Sequence, residues 1–128
     1  MYKNILKIIK NNYSLIDKIL IIYHYLKLEL KNKNTTNPEE MIFGFHIKAF
    51  RYKTIVYLFK EIFIYNSYEF LSTKKNPFIL DCGSNIGMSI LYFKYFYPNC
   101  KIYAFEPDPE TFELLKFNIK ITFFIFIY

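Results

Sequence analysis

Tryptophan is absent from this chain, and glycine occurs only three times, alanine, histidine and cysteine twice each, in 128 residues. Two cysteines, Cys82 and Cys100, give neither a disulfide framework nor the spacing of a metal site, so no metal is expected. They read as reduced thiols of a cytoplasmic protein. No uncharged apolar run approaches the roughly 18 residues that a spanning helix needs. The apolar stretch 19–26 is interrupted by His24, and with alanine only at 49 and 104 no small-residue cleavage site follows it, so it is not a signal peptide. An even basic surface is also missing. Of the net charge of +6, most lies in residues 1–34, where seven lysines face only Asp17 and Glu29. Residues 35–128 hold ten basic and nine acidic side chains, which argues against a nucleic-acid partner.

What the chain does have is apolar mass. It is 53% hydrophobic and 22% charged, enough to build a packed core and not the composition of a disordered chain. Its aromatic share of 22% carries less information. Ile, Lys, Asn, Phe and Tyr together make up 75 residues, and all five use codons rich in A and T.

Three segments follow from the pattern. Residues 1–34 read as an amphipathic helical segment in two pieces, with Ser14 and Asp17 resembling a capping box at the restart. Ile5, Ile9, Ile16, Ile19, Leu20, Tyr23, Leu26 and Leu30 share one face, and Lys3, Lys7, Lys10 and Lys18 the other. The expected role of that apolar face is packing on the domain; the alternative is weak contact of residues 1–30 with an anionic membrane surface or a partner groove. Residues 35–76 read as a linker, a strand or short hairpin over 41–50 with its bend at Gly44, and a helix over 54–63. His46 and His24 read as structural residues.

Residues 77–128 carry the informative pattern. FILDC, 78–82, is consistent with a buried parallel strand. A glycine turn follows, then a helix with Ile86, Ile90, Phe93 and Tyr97 in one stripe, stopped by Pro98. KIYAFE, 101–106, is a second strand; Asp108 caps a helix that begins at Pro109. The order β–α–β–α opens an α/β parallel sheet. ITFFIFIY, 121–128, is a candidate third strand.

Ligands of such sheets bind beyond the C-terminal strand ends. Asp81 and Glu106 both stand there, on either side of Gly83, Ser84, Asn85, Ile86 and Gly87. Gly83 can take positive φ and let a ligand press on the backbone, and Gly87 lets the helix begin close to the strand. The unfilled N–H groups at a helix start favour an anion. Glu106 stands 23 residues after Gly83 and 19 after Gly87, the distance at which an acidic side chain accepts the hydroxyls of an unphosphorylated ribose. A dinucleotide fingerprint would place glycine where Asn85 and Met88 stand, and Asp81 would repel a pyrophosphate. S-adenosylmethionine has no phosphate, and its cationic groups suit Asp81.

Residues 78–119, with DCGSNIG and AFEPDPETF, resemble the start of the FkbM-type S-adenosylmethionine-dependent methyltransferases; FKEIFIYNSYEF, 59–70, is more loosely similar to their lead-in. The resemblance implies a partial Rossmann-like methyltransferase fold and O-methylation of a hydroxyl on a sugar or natural-product-like small molecule. It places Asp81, Gly83, Asn85 and Gly87 at the methionine end and Glu106 at the ribose, and it counts Ser84, Pro107 and Asp108 among the cofactor-binding residues, with Asp108 near the adenine edge. No catalytic base is assigned. The strands that would frame a substrate pocket are missing, so the expectation is a truncated, cofactor-binding part of such an enzyme. The alternatives are an inactive remnant and a nicotinamide-dinucleotide protein.

Overall fold

The computed structural model describes residues 1–70 and 72–119 and the backbone of 125–127; the remainder of the candidate strand 121–128 lies outside the described residues. Helix α1 spans Tyr2–Lys10 and α2 spans Leu15–Glu29. Ser14 caps α2 as expected: its Oγ accepts the Asp17 N–H at 3.1 Å and its hydroxyl meets the Asp17 carboxylate at 2.5 Å. The other Asp17 oxygen accepts the Tyr95 hydroxyl at 2.7 Å, which ties the start of α2 to the second half of the chain.

The buried face of α2 is not the one expected. Ile16, Ile19, Tyr23 and Leu30 are more than half exposed, while Ile21, His24, Tyr25 and Leu28 are buried. The helix is apolar on nearly every side, so periodicity alone does not fix which side turns inward. Much of the basic excess is spent internally. Lys27 and Lys31 converge on the buried Glu40, which also accepts the Tyr52 hydroxyl at 3.1 Å. Burial opposes ionisation of Glu40, but the two ammonium groups outweigh it and hold the carboxyl below its usual range.

Strands β1 (Glu39–Ile42) and β2 (Phe45–Lys48) form the antiparallel hairpin. Its two turn residues, Phe43 and Gly44, both have positive φ, at 50° and 83°, as a two-residue hairpin turn requires. A bulky residue rarely adopts that conformation. Here the Phe43 ring packs 4.5 Å from both His24 and Tyr95 and 5.0 Å from Phe63, and its N–H donates to His24 Nε2. His46, on β2, lies 3.0 Å from Glu39. Helix α3 (Tyr52–Phe59) then runs into a π-helical turn, Lys60–Ile64.

The second half is the expected alternation: β3 (Phe78–Cys82), α4 (Met88–Phe96), β4 (Lys101–Phe105), α5 (Pro109–Ile119) and β5 (Ile125–Ile127). The three strands are parallel, in the order β3-β4-β5, with Cys82 opposite Phe105 and Ala104 opposite Ile127. This is an α/β fold. Helix α4 is buried from Met88 to Lys94; the Lys94 ammonium is satisfied by the Cys100 carbonyl at 2.6 Å. On its outer side α4 meets α3 and the π turn, so one hydrophobic core runs through both halves.

Strand β3 departs from expectation in one respect. Ile79 and Asp81 are buried, but Phe78 and Leu80 are 59% and 62% exposed, so only one face of the strand is covered among the described residues. Right-handed crossovers between strands added in one direction put their helices on the same side of the sheet. Cys82 is exposed and Cys100 buried, and both are free thiols. Among the described residues no helix is long and apolar enough to cross a membrane.

Candidate functional site

The site residues come together because β3 and β4 end side by side. The N–H groups of Gly83 and Ser84 both donate to the Phe105 carbonyl, at 2.8 and 2.9 Å, which pins the glycine turn onto the end of β4. The Ser84 hydroxyl donates back to the Asp81 carbonyl at 2.9 Å, and the Gly87 N–H to the Ser84 carbonyl at 2.9 Å. The backbone coils with positive φ at Gly83 (85°), Asn85 (50°) and Gly87 (88°). Asparagine tolerates this conformation. Its side chain also helps: Asn85 Oδ1 accepts the Ile86 N–H at 2.8 Å.

The two glycines have different tasks. Among the described residues a Cβ on Gly83 would meet nothing within 4 Å, so that position faces open space there. A Cβ on Gly87 would lie 3.0 Å from Leu115 Cδ1 and 3.4 Å from Ile119 Cγ2. Gly87 therefore admits α5, not only the neighbouring strand.

Glu106 is held from both sides. Its Oε2 accepts the Asn85 N–H at 2.8 Å and its Oε1 accepts the Asp108 N–H at 3.0 Å. Each carboxylate oxygen can accept two hydrogen bonds, so each keeps one acceptor site for a ligand. The carboxylate is thus fixed before any ligand arrives and still open to a pair of hydroxyls. Asp108 also caps α5: its Oδ2 accepts the Thr111 N–H at 2.8 Å, and the Thr111 hydroxyl, with that N–H, lowers its pKa. Pro107 is exposed between them.

Asp81 is 6% exposed and lies beneath the turn. Its Oδ2 accepts the Ser89 hydroxyl at 2.7 Å. The N–H groups of residues 83 to 87 are all consumed within the protein. The turn therefore has no amides left to wrap an anion, in contrast to what the glycine pattern alone suggests. The amides that the helix geometry leaves without an acceptor belong to the first turn of α4, from Met88.

A cavity of about 170 Å³ opens here. Gly83, Ser84, Asn85, Met88 and Ser89 form one side, and Leu58, Ile62 and Tyr68 the other. The second wall was not among the expected site residues. It comes from α3, the π turn and the connection that follows, and π turns recur at functional sites. A second missed residue is Asn118, 6% exposed, whose Nδ2 donates to the carbonyls of Ile86 (2.8 Å) and Lys48 (2.9 Å) while its Oδ1 accepts the Lys48 N–H (2.8 Å). It clamps the glycine turn, α5 and the hairpin together. An asparagine between Phe117 and Ile119, late in a helix, is the one trace it leaves in the sequence.

The chain resembles known methyltransferases. Over 88 residues it is 38% identical to Methyltransferase sdnD of Sordaria araneosa, a match spanning 67% of this chain and 34% of that protein. Over 67 residues it is 42% identical to Methyltransferase 1 of Beauveria bassiana (strain ARSEF 2860), spanning 52% of this chain and 27% of the relative. The matched region is thus about a third of these relatives' own length. No family model matches the chain. Among solved structures, a chain of the fibrillarin/Nop5p complex superposes with a TM-score of 0.45 at 13% identity, covering 75% of this chain and 52% of that one. Coclaurine N-methyltransferase bound to N-methylheliamine and SAH gives 0.42 at 12% identity, covering 99% and 41%. Overlaps this low assign neither fold nor ligand.

Proposed function

We propose that this chain carries the S-adenosylmethionine-binding part of an FkbM-type methyltransferase. One observation carries the reading: Glu106 ends β4 with its carboxylate fixed by two backbone N–H groups and one acceptor site open on each oxygen. That arrangement suits the two hydroxyls of an adenosine ribose. The open space at Gly83 and the cavity beside it fit the rest of the ligand. The consumed amides of residues 83 to 87 weigh against a pyrophosphate, hence against a nicotinamide dinucleotide. Similarity to curated methyltransferases supports the same choice.

When bound, the cofactor supplies a methyl group on a cationic sulfur. The residues of this chain bind and orient. Glu106 fixes the ribose, with Pro107 and Asp108 beside it. Gly83, Ser84, Asn85 and Gly87 shape the methionine end, and Asp81 lends negative charge from below through Ser89. Leu58 and Ile62 keep water from that end. The acceptor would be a hydroxyl of a sugar or natural-product-like small molecule, by resemblance to the family, and positioning would supply most of the rate enhancement. The test is calorimetry with S-adenosylmethionine. Glu106→Ala removes both charged hydrogen bonds to the ribose and should weaken binding by at least about 10- to 100-fold, the worth of one of them. Glu106→Gln should fall between. Unchanged affinity in Glu106→Ala would overturn the assignment.

A further inference from the structure

Among the described residues, the cavity between the glycine turn and the π turn has two unpartnered side-chain donors in its lining, on Asn85 and Tyr68. Asn85 Oδ1 is committed to the Ile86 N–H, which fixes the amide orientation and leaves Nδ2, with its two protons, without a partner in the described protein. The Ser89 hydroxyl faces the other way, toward Asp81. Tyr68 completes the wall from the N-terminal half. Its ring leans on Phe93 at 6.1 Å, and its hydroxyl makes no hydrogen bond within the described residues. Burial raises the Tyr68 pKa, and the nearby Asp81 and Glu61 add to the rise, so the phenol keeps its proton and remains a donor. Met88 and Ser89, in the first turn of α4, line the same space. Among the described residues no lysine, arginine or histidine lines it.

We infer that Tyr68 is a specificity-determining residue that donates its hydroxyl, together with Asn85 Nδ2, to the α-carboxylate of the methionine end of the cofactor. This rests on the cofactor reading above and deepens it. These donors hold the carboxylate by charge-assisted hydrogen bonds, and the ligand's own ammonium and sulfonium offset its charge and that of Asp81. The Leu58 and Ile62 side chains strengthen those bonds by excluding water. The assignment also gives the N-terminal half a role in ligand choice: it supplies the wall that distinguishes an amino-acid-bearing adenosine from a plain one.

The test uses the intact 128-residue chain and three ligands, read by calorimetry. They are S-adenosylmethionine, its decarboxylated form (which keeps the amine) and 5′-methylthioadenosine (which lacks both). Tyr68→Phe keeps the ring and its packing and removes only the hydroxyl. It should weaken S-adenosylmethionine about tenfold, as loss of a hydrogen bond to a charged group does, and leave the other two ligands within about twofold. An equal loss for all three ligands would mean a structural role and overturn the proposal. So would a loss that persists with the decarboxylated form, which would assign the hydroxyl to the amine. Glu106→Ala serves as the reference: it should weaken all three. If it weakens none, the adenosine reading fails, and the Tyr68 assignment with it. If it weakens all three while Tyr68→Phe weakens none, only the Tyr68 assignment fails.

Discussion

Replacing Gly87 by alanine places a methyl carbon 3.0 Å from Leu115 Cδ1, and Leu115 is fully buried. The backbone there has φ of 88°, which costs an L-residue with a Cβ about 1–2 kcal/mol. Moving Leu115 inside a close-packed core adds roughly 1–3 kcal/mol. Gly87→Ala should therefore destabilise the chain by about 2–5 kcal/mol, a fall in melting temperature of roughly 10 °C or more for a domain of this size. Gly83 has almost the same φ, 85°, but none of the described residues lies within 4 Å of its would-be Cβ. Gly83→Ala should thus cost only the conformational term, about 1–2 kcal/mol. Its methyl group would instead stand in the space where a ligand approaches the backbone. The pair separates fold from site. Thermal denaturation should show the large loss in Gly87→Ala and the small one in Gly83→Ala, and calorimetry should show the affinity loss in Gly83→Ala. Equal melting temperatures for the two variants would refute the assignment of Gly87 to α5 contact. Full S-adenosylmethionine affinity in Gly83→Ala would refute the placement of the ligand.

Two further outcomes follow from the packing. Burial lowers the His24 pKa from 6.5 to about 4, helped by Lys27, so the unfolded chain takes up a proton there that the folded chain refuses. Stability from this residue is complete above pH 6.5 and is lost as the pH falls toward 4, by up to about 3 kcal/mol; His24→Gln should flatten that part of a pH–denaturation profile, and an unchanged profile would count against it. Asn118→Ala removes three hydrogen bonds and leaves the Ile86 and Lys48 carbonyls without their partner. It should cost about 2–4 kcal/mol in urea denaturation, and a cost below about 1 kcal/mol would contradict the clamp.

Much of the fold was legible where the signals are local. Ser14 and Asp108 cap the helices assigned to them because a short polar side chain at a helix start acts on amides two or three residues away. Phe43-Gly44 turns the hairpin, and the strand–glycine turn–helix–strand order follows from patterning. The meeting of Asp81, the turn and Glu106 was legible for the same reason: adjacent parallel strands bring their ends together. What remained hidden depends on contacts distant in sequence. The inward side of α2 is chosen by what it packs against, since leucine, isoleucine and tyrosine surround it. The exposure of Phe78 and Leu80 depends on which sheet face the helices cover. Tyr68 reaches the cavity only because α3 and the π turn pack on α4, and the commitment of the turn amides follows from how β4 ends.

The most direct test of the central claim is a titration of the 128-residue chain with S-adenosylmethionine, followed by competition with a nicotinamide dinucleotide. The account predicts saturable binding of S-adenosylmethionine that the dinucleotide does not displace. Displacement by the dinucleotide, or no binding of S-adenosylmethionine by the folded chain, would contradict it.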